Sequence, residues 1–317
     1  MSEITVFSGG AHPVLAHEIC TLVGVQLSPS NCLRFSNDCL QVQLRANCRQ
    51  RDVYIVQPLV PPVQENLVEL LLMLDAARGA SAAQITAVIP HYAYARSDKK
   101  DAPRISIGGR LVADLIAAAG ADRVLTMALH APQVHGFFSV PVDHLNAISE
   151  LARHFADRDL SNTVVVSPDL GNAKPAAAFA RLLGLPVAAG SKQRLADDRV
   201  FIDAIVGDVE DRNVIVLDDE IATGGSVLAL LDRLAERRVR HVSLVSTHGL
   251  FTHGALERLS NRPDVHEIVT TDTVPLLGKS SPKLEVRSIA PLFAEAIRRI
   301  NLGESVSSLL SDVPTYG

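Results

Sequence analysis

The sequence predicts an α/β protein of two similar domains, each a parallel sheet flanked by helices. Apolar, β-rich runs alternate with segments of helical spacing, the mark of a sheet covered on both faces. The pattern also runs twice along the chain, and 317 residues suit two domains of ordinary size.

In the first half the apolar runs at 4–8, 53–57, 85–89 and 124–127 read as strands, and helical spacing appears at 13–23, 63–78 and 107–119. In the second half the strands fall at 163–167, 187–189, 213–217 and 241–246, and the helices at 146–156, 173–183, 226–237 and 291–300. Residues 39–44 are a candidate additional antiparallel strand. The repeat shows where a strand, a connecting loop and a helix follow one another. The first half has Pro58-Leu59-Val60-Pro61-Pro62 at that point, and the second has a glycine turn. The runs at 85–90 and 241–247 come next at comparable places. These features divide the chain into domains at 1–145 and 146–305, with a tail, 306–317, expected to return to the first domain.

Composition narrows the function classes. Hydrophobic residues make up 47% of the chain, enough for sizeable cores. A formal charge of −5 argues against a nucleic-acid partner. The four cysteines, Cys20, Cys32, Cys39 and Cys48, contain no C-x-x-C pair and read as reduced thiols of a cytoplasmic protein. The first seven residues are too short and polar for a secretory signal, and the apolar stretch 67–77 carries Glu69 and Asp75, so no membrane partner is expected.

The most informative stretch is 214–226, Val-Ile-Val-Leu-Asp-Asp-Glu-Ile-Ala-Thr-Gly-Gly-Ser. An apolar strand ends in Asp218 and Asp219, a small glycine-containing turn follows, and then a helix begins. In open α/β sheets ligands bind beyond the carboxyl ends of strands. The turn Ala222-Thr223-Gly224-Gly225-Ser226 can aim backbone N–H groups and two hydroxyls at a phosphate, with the positive end of the helix behind them. Two carboxylates beside a phosphate need another task, and accepting hydrogen bonds from sugar hydroxyls, directly or through Mg²⁺, supplies it. The stretch therefore points to a phosphorylated sugar. The bland alternative is a strand–turn–helix with a capping hydroxyl and solvated acids.

This stretch resembles the 5-phosphoribosyl-diphosphate motif of phosphoribosyltransferases and ribose-phosphate diphosphokinases. The segment 128–143, with His130, Gln133, Gly136, Phe137, Phe138, Pro141 and Asp143, resembles a signature of the diphosphokinases alone. The resemblance implies two phosphoribosyltransferase-like domains, ATP and ribose 5-phosphate as substrates, Mg²⁺ as cofactor and a homo-oligomer. It implies that Asp218 and Asp219 contact the ribose hydroxyls, and that Ala222, Thr223, Gly224, Gly225 and Ser226 hold the 5-phosphate. His130 and Asp169 match metal-contacting residues. For Asp169, in Val-Ser-Pro-Asp-Leu-Gly-Asn, a helix cap is the competing reading. Arg96 matches a triphosphate contact and Phe35 a residue of the adenine loop. Lys192 and Arg194, in a polar loop reaching about 198, match the pair that stabilises the transition state.

Several positions depart from the family pattern. Ala128 and Ser139 stand where the family carries acids, Ser97 replaces a glutamine, and Asn37, Asp38 and Cys39 differ in the adenine loop; Ala222 is often aspartate in these kinases. Three functions follow: transfer of the ATP diphosphoryl group to the C1 hydroxyl of ribose 5-phosphate, a catalytically weakened regulatory homologue, or a phosphoribosyltransferase. The last explains neither 130–143 nor the first domain.

Overall fold

The computed structural model describes residues 3–196 and 199–310, with the side chains of 170, 192–196 and 199–203 outside that description. The chain divides into two compact units. One comprises residues 1–146, 273–275 and 289–317, the other residues 147–272 and 276–288.

The first unit opens with β1 (Ile4–Ser8), α1 (Pro13–Val23), β2 (Leu27–Ser28), β3 (Ser30–Arg34) and β4 (Leu40–Leu44). It continues with β5 (Asp52–Val56), α2 (Val63–Gly79), β6 (Gln84–Ile89), α3 (Gly108–Ala119), β7 (Arg123–Met127) and β8 (Val142–Leu145). Its sheet has the order β2-β1-β5-β6-β7-β8, with every neighbouring pair parallel. The strands are continuous apolar runs because helices cover both faces. The expected strand near 39–44 is present as β4, which pairs antiparallel with β3 in a separate hairpin.

The second unit contains α4 (Ile148–Arg153), β9 (Thr163–Ser167), α5 (Ala173–Leu183), β10 (Val187–Ala196), β11 (Arg199–Val206) and β12 (Asn213–Ile221). After these come α6 (Gly225–Glu236), β13 (Val242–Gly249), α7 (Ala255–Ser260), β14 (Val265–Thr271) and β15 (Leu284–Arg287). Its sheet order is β11-β10-β9-β12-β13-β14-β15, parallel except for the β10–β11 pair. The two sheets repeat one strand order, β2-β1-β5-β6-β7-β8 against β10-β9-β12-β13-β14-β15.

Three differences from the sequence reading have physical causes. Of residues 191–198, expected as a polar loop, 191–196 lie in β10, because the β-rich run 199–206 supplies an antiparallel partner; 197 and 198 lie outside the described residues. The strand expected to stop at residue 217 continues to Ile221, because β13 keeps pairing beyond it through Asp218–Ser246, Glu220–His248 and Ile221–Gly249. The first unit takes up residues 273–275 and then everything from 289, more of the chain than the tail from 306. Helix α8 (Ala290–Leu302) buries Phe293 and Ile297, and Asn301 donates from Nδ2 to Asp52 Oδ2 at 2.8 Å. It is followed by the short α9 (Ser307–Leu310); the rest of the predicted tail lies outside the described residues.

In the first unit, side chains fill the space beside the end of β5, the strand that matches β12 in sheet order. Gln57 is fully buried just after β5, where it accepts from Ala11 N–H at 3.0 Å and donates to Glu69 Oε2 at 2.7 Å. Glu69 also accepts from Gly10 N–H at 3.0 Å. The approach is so close that a Cβ on Gly9 would lie 2.3 Å from Gln57 Oε1.

Candidate functional site

In the second unit the site begins at the carboxyl end of β12. Asp218 accepts from the backbone N–H of Asp219 at 2.9 Å and from Asn172 Nδ2 at 3.5 Å. Asn172 also donates to Leu217 O at 3.1 Å, which ties the start of α5 to the strand end. Burial pushes the Asp218 carboxyl well above the usual carboxylate range, and the negative charges of Asp219 and Asp169 add to the shift. A crowded carboxyl of this kind is relieved by a cation or by hydroxyl donors.

The turn after β12 is anchored by its carbonyls. Ile221 O accepts from Phe251 N–H and Ala222 O from Thr252 N–H, each at 3.0 Å. The Thr223 carbonyl accepts from Arg258 Nη2 at 2.7 Å. The N–H groups of Thr223, Gly224, Gly225 and Ser226 have no hydrogen-bond partner among the described residues. Those of Gly224, Gly225 and Ser226 are the first amides of α6, which a helix leaves unsatisfied, and with that of Thr223 they suit an anion. Gly224 sits at φ 74°, a conformation that glycine adopts without a Cβ penalty.

Asp169 accepts from Asn172 N–H at 3.1 Å across a 3₁₀ turn that leads into α5. Asp169 thus caps the 3₁₀ turn rather than α5, whose own N-cap residue, Asn172, makes no side-chain cap bond, while its charge still reaches Asp218. Lys192 and Arg194 lie on β10, with their backbones opposite Ile202 and Val200 of β11; their side chains lie outside the described residues.

The first unit carries the other candidates. Phe35 is 49% exposed at the tip of the β3–β4 hairpin, and its N–H donates to Cys39 O at 2.9 Å. The divergent tip residues are used locally, since Asn37 accepts from Cys39 N–H at 3.3 Å and Asp38 pairs with Arg34. Arg96 is exposed at the end of a 3₁₀ turn after β6. The next residue, Ser97, accepts from Gly108 N–H through its hydroxyl and from Gly109 N–H through its carbonyl, both at 2.9 Å. Ser97 thus satisfies two amides at the start of α3, which lacks a side-chain cap from its own N-cap residue.

His130 is exposed just beyond β7. The backbone leading to it is held by β8: Ala128 N–H donates to Leu145 O at 3.0 Å, and Leu129 N–H donates to His144 Nε2 at 2.8 Å. Ala128 adopts φ 43°, in the left-handed region that alanine disfavours. Burial, reinforced by His135, pushes His144 down to about 4, so its ring is neutral and free to accept. Gln133 donates to Asp98 Oδ2 at 2.7 Å and joins the His130 loop to the Arg96 loop.

Sequence reasoning missed Asn172, Ser97, His144 and Arg258. Asn172 had a faint signal as a polar residue at a helix start. The partners of the others lie 11, 15 and 35 residues away, beyond any local pattern. No group of three or more His, Cys, Asp or Glu residues able to hold a metal occurs among the described residues, and no helix there is long and apolar enough to cross a membrane.

Residues 4–120 match the N-terminal domain of ribose phosphate pyrophosphokinase, and residues 198–311 match the phosphoribosyl synthetase-associated domain. A putative ribose-phosphate pyrophosphokinase of Streptomyces coelicolor is 67% identical over 315 residues, 99% of either chain. This chain belongs to the ribose-phosphate pyrophosphokinase family. The Deinococcus radiodurans ribose-phosphate pyrophosphokinase is 47% identical over 316 residues, 98% of each chain. A phosphoribosylpyrophosphate synthetase from Mycobacterium smegmatis, known from its crystal structure, aligns with a TM-score of 0.89 at 36% identity, covering 95% of this chain and 99% of that one. The ribose-phosphate pyrophosphokinase likeness spans both units, so it accounts for the first one, which a phosphoribosyltransferase reading left unexplained.

Proposed function

We propose that this protein transfers the diphosphoryl group of ATP to the C1 hydroxyl of ribose 5-phosphate, giving 5-phosphoribosyl 1-diphosphate and AMP. The observation that carries the reading is the passage from β12 into α6. There the Asp218–Asp219 pair leads into a turn whose carbonyls are bonded away and whose amides have no partner among the described residues.

In this reading the amides and hydroxyls of Ala222 to Ser226 bind the 5-phosphate, Ala222 through its backbone alone. Asp218 and Asp219 accept from the ribose hydroxyls, which orients C1 for attack on the β-phosphorus. Phosphoryl-group transfer asks little covalent chemistry of a protein; positioning and charge stabilisation dominate. Lys192 and Arg194 supply positive charge where negative charge develops on the transferred group and on departing AMP. Phe35 offers a ring face to adenine, and Arg96 a guanidinium fork to the triphosphate.

Mg²⁺ fits the donor chemistry, since it takes oxygen ligands and commonly binds one or two carboxylates together with substrate phosphates. Asp169 would hold a metal on the ribose side, and His130 one at the nucleotide. When bound, it neutralises phosphate charge. A homo-oligomer in the cytoplasm belongs to the same proposal.

The test is ribose-dependent AMP formation from ATP and Mg²⁺ by the purified protein, with Lys192→Ala as control. No AMP with any divalent metal would overturn the enzymatic reading. One observation favours a second reading, a weakened regulatory homologue: Ala128 stands at φ 43° where the family carries an acid near His130. Normal ribose 5-phosphate binding with only trace turnover would select it.

A further inference from the structure

We infer that Arg258 is a positioning residue for the phosphate turn: by holding the Thr223 carbonyl it fixes the direction of the Gly224 amide. The inference rests on reading that turn as the 5-phosphate site.

A peptide unit is planar, and in its trans form the C=O and the following N–H point in opposite directions. Fixing a carbonyl therefore fixes the next amide. Three consecutive units of the turn are fixed in this way. Ile221 O is held by Phe251 N–H, which directs the Ala222 amide, and Ala222 O is held by Thr252 N–H, which directs that of Thr223. Thr223 O is held by Arg258, which directs that of Gly224. The first two anchors are backbone groups, present whatever the side chains are. The third is the only one of the three supplied by a side chain.

It is also the unit most prone to turn over. Rotating the Thr223–Gly224 peptide requires Gly224 to change φ, and glycine does so at little cost. Inverted, the unit would present a carbonyl oxygen to a phosphate in place of a donor. Arg258 suits the task because its rigid fork spans two acceptors, donating to the carbonyls of Thr223 and His253. His253 has φ 53° and belongs to the loop just before α7, so one guanidinium joins that loop to the turn. The turn also rests on α7, since a Cβ on Gly224 would lie 3.5 Å from the Ala255 and Leu259 side chains. Arg258 is exposed, so its substitution leaves the core of the second unit in place.

The test compares Arg258→Met, which keeps the stem and loses the fork, with Arg258→Lys, which keeps the charge and loses the paired donors. Loss of one charge-assisted hydrogen bond at a binding turn corresponds to roughly a tenfold or greater rise in KM for ribose 5-phosphate. The KM for ATP stays within about twofold of wild type in the same measurements. Arg258→Lys falls between wild type and Arg258→Met. Ribose 5-phosphate binding by calorimetry, with and without a non-hydrolysable ATP analogue, weakens in the same order. A folded Arg258→Met protein with wild-type affinity for ribose 5-phosphate overturns the inference, as does an equal loss in both KM values. If Arg258→Met fails to fold, the same two outcomes are read from Arg258→Lys. Wild-type protein that binds ribose 5-phosphate without forming AMP, together with weakened binding in the variants, would overturn the enzymatic reading and support the role of Arg258.

Discussion

His144 on β8 accepts a hydrogen bond from the backbone of Leu129 at 2.8 Å, one residue before His130. The ring is held down at about 4, below the ordinary histidine value of 6.5, by burial and by His135. The unfolded chain therefore takes up a proton near pH 6.5, and the folded chain does not until near pH 4. Stability from this group is complete above pH 6.5 and falls as pH drops towards 4, by at most about 3 kcal/mol. Urea unfolding at pH 7.5 and 5 should show this slope, and His144→Gln, which retains an acceptor without a titrating ring, should flatten it. An unchanged slope in the variant would remove His144 as its source.

Much of the fold was legible because its signals are local. Strands β1, β5, β6, β7, β9, β12 and β13 are apolar runs, and the Asp218-to-Ser226 motif is contiguous. What escaped depends on partners far away in sequence. β12 passes residue 217 because of Ser246 and His248 on β13. The polar 191–196 stretch is strand because 199–206 pairs with it. Ser97 and Arg258 act on backbone groups 11 and 35 residues away, and neither sits in a recognisable pattern. Asp169 was open to two readings; it caps the 3₁₀ turn before α5 rather than α5 itself, and its metal role is part of the proposal.

Ala128 offers a test of the nucleotide side. At φ 43° an alanine side chain costs about 1 kcal/mol relative to glycine. Ala128→Gly should raise thermal stability by about that amount, read by calorimetry. An aspartate would bear the same backbone conformation more easily than alanine. It would also place a carboxylate two residues from His130, so Ala128→Asp should lower the Mg²⁺ concentration needed for half-maximal activity. No change in that concentration would show that an acid at this position does not reach the metal.

Asp218 should separate stability from function. Its carboxyl is raised because burial and the charges of Asp219 and Asp169 disfavour ionisation. A raised carboxyl stabilises the fold least above the ordinary carboxylate range, so at pH 7 it is a cost. Asp218→Asn keeps the shape and removes the charge. Unfolding stability at pH 7 should rise by about 1 kcal/mol while ribose 5-phosphate turnover collapses. A variant that loses stability would show that the carboxylate is satisfied in the free protein.

Glu69 should show the converse. In the first unit it accepts from Gly10 N–H and from Gln57, beside the end of β5, the strand that matches β12 in sheet order. Replacing it leaves the Gly10 amide and one N–H of Gln57, whose Nε2 also donates to Asn66 O at 3.3 Å, without that acceptor, a loss of about 1–3 kcal/mol. Gln57 cannot recover through water, because it is fully buried against Gly9. Glu69→Ala should therefore lower the urea midpoint at pH 7. The KM for ribose 5-phosphate, which the proposed function assigns to Asp218 to Ser226, should stay unchanged. If that KM rose along with the instability, the first-unit network would have to contribute to sugar-phosphate binding, and its description as an internal filling would fail.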